Sequence, residues 1–257
     1  MVDPGTLIRA VLSLTELELR IRWLGDRLFQ RTPRTVAALL NALCEEGDRG
    51  RHGAREALLP TCLLMVRERQ HPWLEELRVE AQRSQLLGLQ RLIPRMPPSA
   101  SVERNSEPPR PIPDYGFGRE VTLGERRSLA RRHDRALLER LLGDPHPLVI
   151  RQLLANPRLT EADLLRLVAR RPANIETLNE IANTTCLSRD RVRMAVLLNP
   201  GVPLDFSGPL LAVCTRTELK EVLRGADTPG LLRAIALEYL ERRPPIGQSE
   251  TGNVVEH

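Results

Sequence analysis

Apolar residues early in the chain recur at helical spacing: Leu17, Ile21, Leu24 and Leu28 follow at alternating four- and three-residue steps, and Val36, Leu39, Leu40 and Leu43 make the next face. This spacing keeps them on one face of an α-helix. Asp3-Pro4 and Thr32-Pro33 read as helix starts, because proline at the first helical position lacks an N–H that would be unpaired there anyway. Gly47 to Gly53 predicts a polar loop, and helices are expected again over Ala54–Arg69 and Pro72–Leu92. Residues 1–93 are thus expected to form an N-terminal helical domain.

Residues 94–113 hold seven prolines and few apolar side chains, too little to offset the entropy of ordering, which predicts a proline-rich linker. Beyond it, Thr122-x-x-Glu125 is a capping box that should start a helix running to about Leu142. The chain is then punctuated by Asp144-Pro145, Asn156-Pro157, Arg171-Pro172, Asn199-Pro200 and Thr228-Pro229, each a helix junction because the residue before proline is pushed out of helical geometry. Thr160, Ser188 and Thr215-x-x-Glu218 supply further start signals. Pro145, Pro172, Pro200 and Pro229 are 27, 28 and 29 residues apart, the length of two short helices with their turns. The expected fold class is all-α, with residues 114–243 forming an α-solenoid-like stack of short helix pairs and a polar tail, 244–257, expected to be disordered.

The segment Leu153 to Ala169, Leu-Leu-Ala-Asn-Pro-Arg-Leu-Thr-Glu-Ala-Asp-Leu-Leu-Arg-Leu-Val-Ala, resembles the Asn-Pro-containing units of bacterial leucine-rich repeat variant proteins and, more loosely, HEAT-like α-solenoids. The resemblance spans about residues 140–215; the unit around Cys186 lacks the Asn-Pro pair. It implies a stacked-helix fold with a binding surface and carries over no catalytic residue.

Aromatic residues make up only 3% of the chain, so the core must be built from Leu, Ala, Val and Ile, which favours helices over strands. Cys44, Cys62, Cys186 and Cys214 form no C-x-x-C pair, and none of the five histidines has metal-ligand spacing, so neither metal nor cofactor is expected. No membrane-spanning run and no leader is read from the sequence, which makes the cytoplasm the expected location. There is no phosphate-binding glycine loop and no nucleophile turn, so the expectation is a non-enzyme. The net charge of +5 is uneven: residues 119–135 carry +3 and residues 136–257 carry none.

The stretch from Tyr115 to Arg135 stands out, with two of the seven aromatic residues in a Gly-rich loop followed by an arginine-rich helix. Leu123, Ala130, Leu137 and Leu141 would form its apolar stripe. Tyr115, Phe117, Arg127, Arg131, Arg132 and Arg135 are therefore the candidate partner-binding residues, suited to an acidic segment of a protein or to phosphate. The expected function is protein interaction or scaffolding through a helical-repeat surface. The alternative is a nucleic-acid-binding solenoid using the basic helix 122–142, which the neutral charge of residues 136–257 weakens.

Overall fold

The computed structural model describes residues 3–95, 111–171 and 174–243, in which all of the regular secondary structure is helical. The linker expected over 94–113 lies mostly, and the tail over 244–257 entirely, outside the described residues, as does Pro172. The helices are α1 (Pro4–Leu12), α2 (Leu17–Leu28), α3 (Pro33–Asp48), α4 (His52–Arg67), α5 (Pro72–Arg83), α6 (Leu87–Leu92), α7 (Leu123–Leu129), α8 (Arg135–Leu141), α9 (Pro147–Leu154), α10 (Glu161–Val168), α11 (Ile175–Ala182), α12 (Asp190–Leu197), α13 (Leu204–Leu210), α14 (Arg216–Arg224) and α15 (Gly230–Arg242). None of them is long and apolar enough to cross a membrane.

The chain divides into two compact units, and the boundary is not the expected one. Residues 203–243 belong with residues 3–95, while 111–202 form the second unit, so the single domain expected over 114–243 is split. Within the first unit the organising element is α4. Ala54, Ala57, Leu58, Cys62, Leu63, Leu64, Met65 and Val66 are all buried, which gives the helix apolar surface on every side. Such a helix must be surrounded, and α1, α2, α3 and α13 pack around it. Phe206 of α13 is fully enclosed, with the Arg69 guanidinium 5.3 Å from its ring centre. The sequence pattern marks α13 as apolar; it does not say that the surface it covers lies more than a hundred residues upstream.

Two expected helices are each broken in two. The helix expected over Pro72–Leu92 stops at Arg83 and resumes at Leu87, because Gln85 adopts a left-handed φ of 52°. The helix expected from Thr122 to Leu142 stops at Leu129 and resumes at Arg135, where the Asp134 carboxylate accepts from the N–H groups of Ala136 (2.9 Å) and Leu137 (3.3 Å). Leu123, Ala130, Leu137 and Leu141 therefore do not make one helix stripe. The capping boxes at Thr122, Thr160 and Thr215 all form. Ser188 is no cap: it ends a short 3-10 turn, and Arg189 precedes α12 without a side-chain bond.

In the second unit, the most extensive packing runs between helices two apart in order, α7 with α9, α9 with α11, and α10 with α12, while α8 packs on the next helix, α9. The recurring Asn-Pro text is the device behind two of these pairs. Asn156, which follows α9, donates its amide to the carbonyls of Ala130 and Arg132, both at 2.8 Å, at the open end of α7. Asn199, which follows α12, donates to Val168 (2.8 Å) and Arg170 (3.1 Å) at the open end of α10. Each Asn also accepts from the N–H two residues on, Arg158 at 2.9 Å and Gly201 at 3.1 Å. Ion pairs also join alternate helices: Arg135 of α8 to Asp163 of α10, Arg151 of α9 to Glu180 of α11, and Arg191 of α12 to Glu161 of α10.

Asn156 is buried, and its clamp depends on donating hydrogens to carbonyl oxygens. Asn156→Ala should cost about 2 kcal/mol, since two carbonyls lose their partner. Asn156→Asp should cost at least as much, because a carboxylate has no hydrogen to give them. Urea denaturation followed by circular dichroism reads both; an aspartate variant as stable as the native chain would contradict the clamp.

Candidate interaction site

The site is built at the start of the second unit, where residues 113–121 lead into α7. Asp114 accepts from the Gly116 N–H at 2.7 Å, and Gly116 and Gly118 take left-handed φ values of 81° and 66°. Residues with a side chain rarely adopt these values, so the two glycines reverse the chain on either side of Phe117. The aromatic residues therefore separate. Tyr115 turns inward and is buried, while Phe117 is 49% exposed.

Beneath the loop, Tyr115 donates its hydroxyl to the Asp144 carboxylate. Asp144, fully buried, also accepts from Arg126 (2.8 and 2.7 Å) and from the His146 N–H at 2.8 Å. A buried ion pair is tolerable only when its remaining lone pairs are satisfied, and Tyr115 and His146 do this. Burial, followed by the adjacent Asp144, holds the Tyr115 hydroxyl well above the usual phenol range, so it remains a donor. The junction at Asp144-Pro145 thus uses the same turn as the two Asn-Pro junctions, with a carboxylate receiving Arg126 and Tyr115 where the amides give to carbonyls.

Above the loop, Phe117 borders a cleft of about 370 Å³ whose walls include Val121, Leu129, Arg119, Glu125 and Arg132. Glu125 accepts from Arg119 at 2.6 and 3.1 Å and from the Thr122 N–H at 2.9 Å. The Arg119 bond, followed by those from Thr122, holds its carboxyl down at about 2. Glu125 is therefore ionised and committed near neutral pH, as is Arg119. The Arg132 side chain has no hydrogen-bond or ion-pair partner among the described residues.

No protein family, no curated protein and no solved structure matches the chain.

Of the six residues picked out from the sequence, the fold brings only Phe117 and Arg132 together in the cleft. Tyr115 is an anchor, buried against Asp144. Arg131 bonds Gln152 at 2.9 Å, and Arg135 forms a two-pronged pair with Asp163 at 2.6 Å on each arm, with Glu139 beside it. Arg127 is half-buried, its Nε enclosed without a partner. Arg119, Arg126 and Asp144 were not among the six, although Asp144 sits in the same Asx-Pro text as Asn156 and Asn199, which was the available signal. Among the described residues no group of three or more His, Cys, Asp or Glu side chains could hold a metal ion.

The two aromatic residues should respond oppositely to truncation. Tyr115→Phe removes one bond to a buried carboxylate and should cost about 1–3 kcal/mol; Phe117→Ala should stay within about 0.5 kcal/mol of the native chain. Comparable losses in thermal denaturation would show that the loop is not divided in this way.

Asp163 gives a pH dependence. The Arg135 bond, together with the Thr160 N–H and hydroxyl, holds its carboxyl well below the usual carboxylate range. Since the folded value lies below the unfolded one, its stabilisation is complete above about pH 4 and is lost as the pH falls further. Arg135→Ala should therefore flatten the acid limb of a stability-versus-pH curve between about pH 4 and 2, which denaturation midpoints measured across that range would reveal.

Proposed function

We propose that the chain is a non-enzymatic protein-interaction or scaffold protein. Its second unit acts as a helical-repeat module of the leucine-rich-repeat-variant or HEAT-like kind and holds a protein partner at the Phe117–Arg132 cleft. The observation that carries this reading is Phe117, a large aromatic side chain half exposed between two left-handed glycines, when most other aromatic residues are buried. Aromatic and arginine side chains dominate the energetics of protein interfaces. Here Phe117, Val121 and Leu129 offer an apolar seat, and Arg132 a cation without a counter-charge. A partner segment with an apolar side chain followed by a carboxylate fits both features. The packing of helices two apart, and the two asparagine clamps that repeat it, support the repeat reading.

The alternative of nucleic-acid binding loses support from the same geometry. Phosphate contacts need clustered cations, yet Arg126, Arg131 and Arg135 are engaged internally by Asp144, Gln152 and Asp163. Cytoplasmic action is part of the proposal, and the four free thiols suit a reducing compartment.

Affinity capture with the tagged full-length chain tests it, using native lysate treated with nuclease and a Phe117→Ala/Arg132→Glu double variant alongside. A specific protein should be retained after nuclease, and its recovery should fall at least about tenfold with the variant. Equal recovery by the variant, or retention of nucleic acid alone, would overturn the proposal.

A further inference from the structure

The first unit has a cleft of its own, about 260 Å³, lined by Arg78, Arg91 and Arg95 together with Leu87, Ile93 and Leu231 from α6, the residues after it and α15. This volume is near the lower end of small-molecule pockets, roughly 300–1,000 Å³. The lining is unusual in its charge. Arg91 is 4% exposed and gives Nη2 to Asp48 at 2.7 Å, but its Nε and Nη1 have no hydrogen-bond acceptor. Glu238, the other carboxylate in reach, stands 4.0 Å from Nη1 and is itself 55% exposed. The Nε of Arg78 is also enclosed without an acceptor, and its Nη1 reaches Glu75 only at 3.4 Å. That same Glu75 serves Arg95 at 3.0 Å.

A further cation lies behind Arg91. The Tyr239 ring lies against both the Arg91 and the Arg243 guanidiniums, at 5.3 and 5.2 Å from its centre. Arg243 is buried and donates to the carbonyl oxygens of Ala212 (2.6 Å) and Leu211 (3.4 Å), which carry no charge. The four guanidiniums of Arg78, Arg91, Arg95 and Arg243 thus have three carboxylates among their neighbours, Asp48, Glu75 and Glu238, and burial pushes the Asp48 carboxyl above its ordinary value, against the pull of Arg91. Enclosed cations lacking a full set of counter-charges and acceptors are costly, and an oxyanion with two or three acceptor oxygens would satisfy them. At the mouth of the cleft, Leu87 and Leu231 are 53% and 44% exposed, which offers an apolar surface beside the charged floor.

We infer that this cleft binds a small amphiphilic anion, a carboxylate or phosphate head on an aliphatic body, with the head against Arg78 and Arg91 and the body along Leu87 and Leu231. Isothermal titration of the full-length chain at pH 7 tests it with octanoate, octyl phosphate, octanol and inorganic phosphate. At least one of the two octyl anions should bind saturably at one per chain, and the tighter of them identifies the head group. Octanol and inorganic phosphate should be weaker by at least about tenfold, since each lacks half of the recognition. Arg78→Gln should lower the affinity about tenfold. Leu231→Asp, at an exposed position in the first turn of α15 where an acid suits the helix dipole, should lower it similarly without changing the circular dichroism spectrum. Absence of binding by both octyl anions, equal binding of octanol or of inorganic phosphate, or unchanged affinity in both variants would overturn the inference.

Discussion

Short helices cannot satisfy their own backbones, and this constraint shapes the second unit. An α-helix leaves four N–H groups unpaired at one end and four C=O groups at the other. The six helices α7 to α12 have only seven or eight residues each, so about half of their backbone polar groups need outside partners. Thr122, Asp134, His146, Thr160 and Asn174 cover the leading ends from within the local sequence. For α7 and α10, carbonyls at the trailing ends are covered by Asn156 and Asn199, which belong to the turn after the helix packed alongside. Backbone satisfaction and helix stacking are therefore one interaction in these pairs, and neither can form far ahead of the other.

This difference in range also explains what could be read from the residues. The capping boxes were legible because donor and acceptor are three positions apart, and the apolar steps of α2 and α3 were legible because helix geometry is local. The break at residues 130–134 was not, because the carbonyls it frees are taken by a side chain more than twenty positions later. Nor was the return of 203–243 to the first unit: an apolar stripe states that a face is buried and leaves open against what. The recurrence of Asn-Pro was visible as text, and its meaning as a clamp needed the third dimension.

The candidate site divides along the same line. Glycines beside Phe117 marked the loop as special, yet nothing local distinguishes the aromatic residue that goes in from the one that stays out; Asp144 and Arg126 decide that. The arginine run showed charge but not its fate, since Asp163 and Gln152 arrive from other helices to consume Arg135 and Arg131. What remains available, Arg132 beside Phe117, is defined by subtraction.

The first unit is closed by helices that come last. Residues 3–95 are made before α13 and α15, so the side of α4 that Phe206 and its neighbours cover lacks these native partners until residues 203–243 follow. Domains formed from contiguous sequence can fold as they emerge; this one can complete its core only once residues 203–243 have been made. The inserted unit, by contrast, can complete its asparagine clamps as soon as residue 199 is free. Order in sequence is thus reversed in order of possible completion: residues 111–202 have all their native partners before residues 3–95 do.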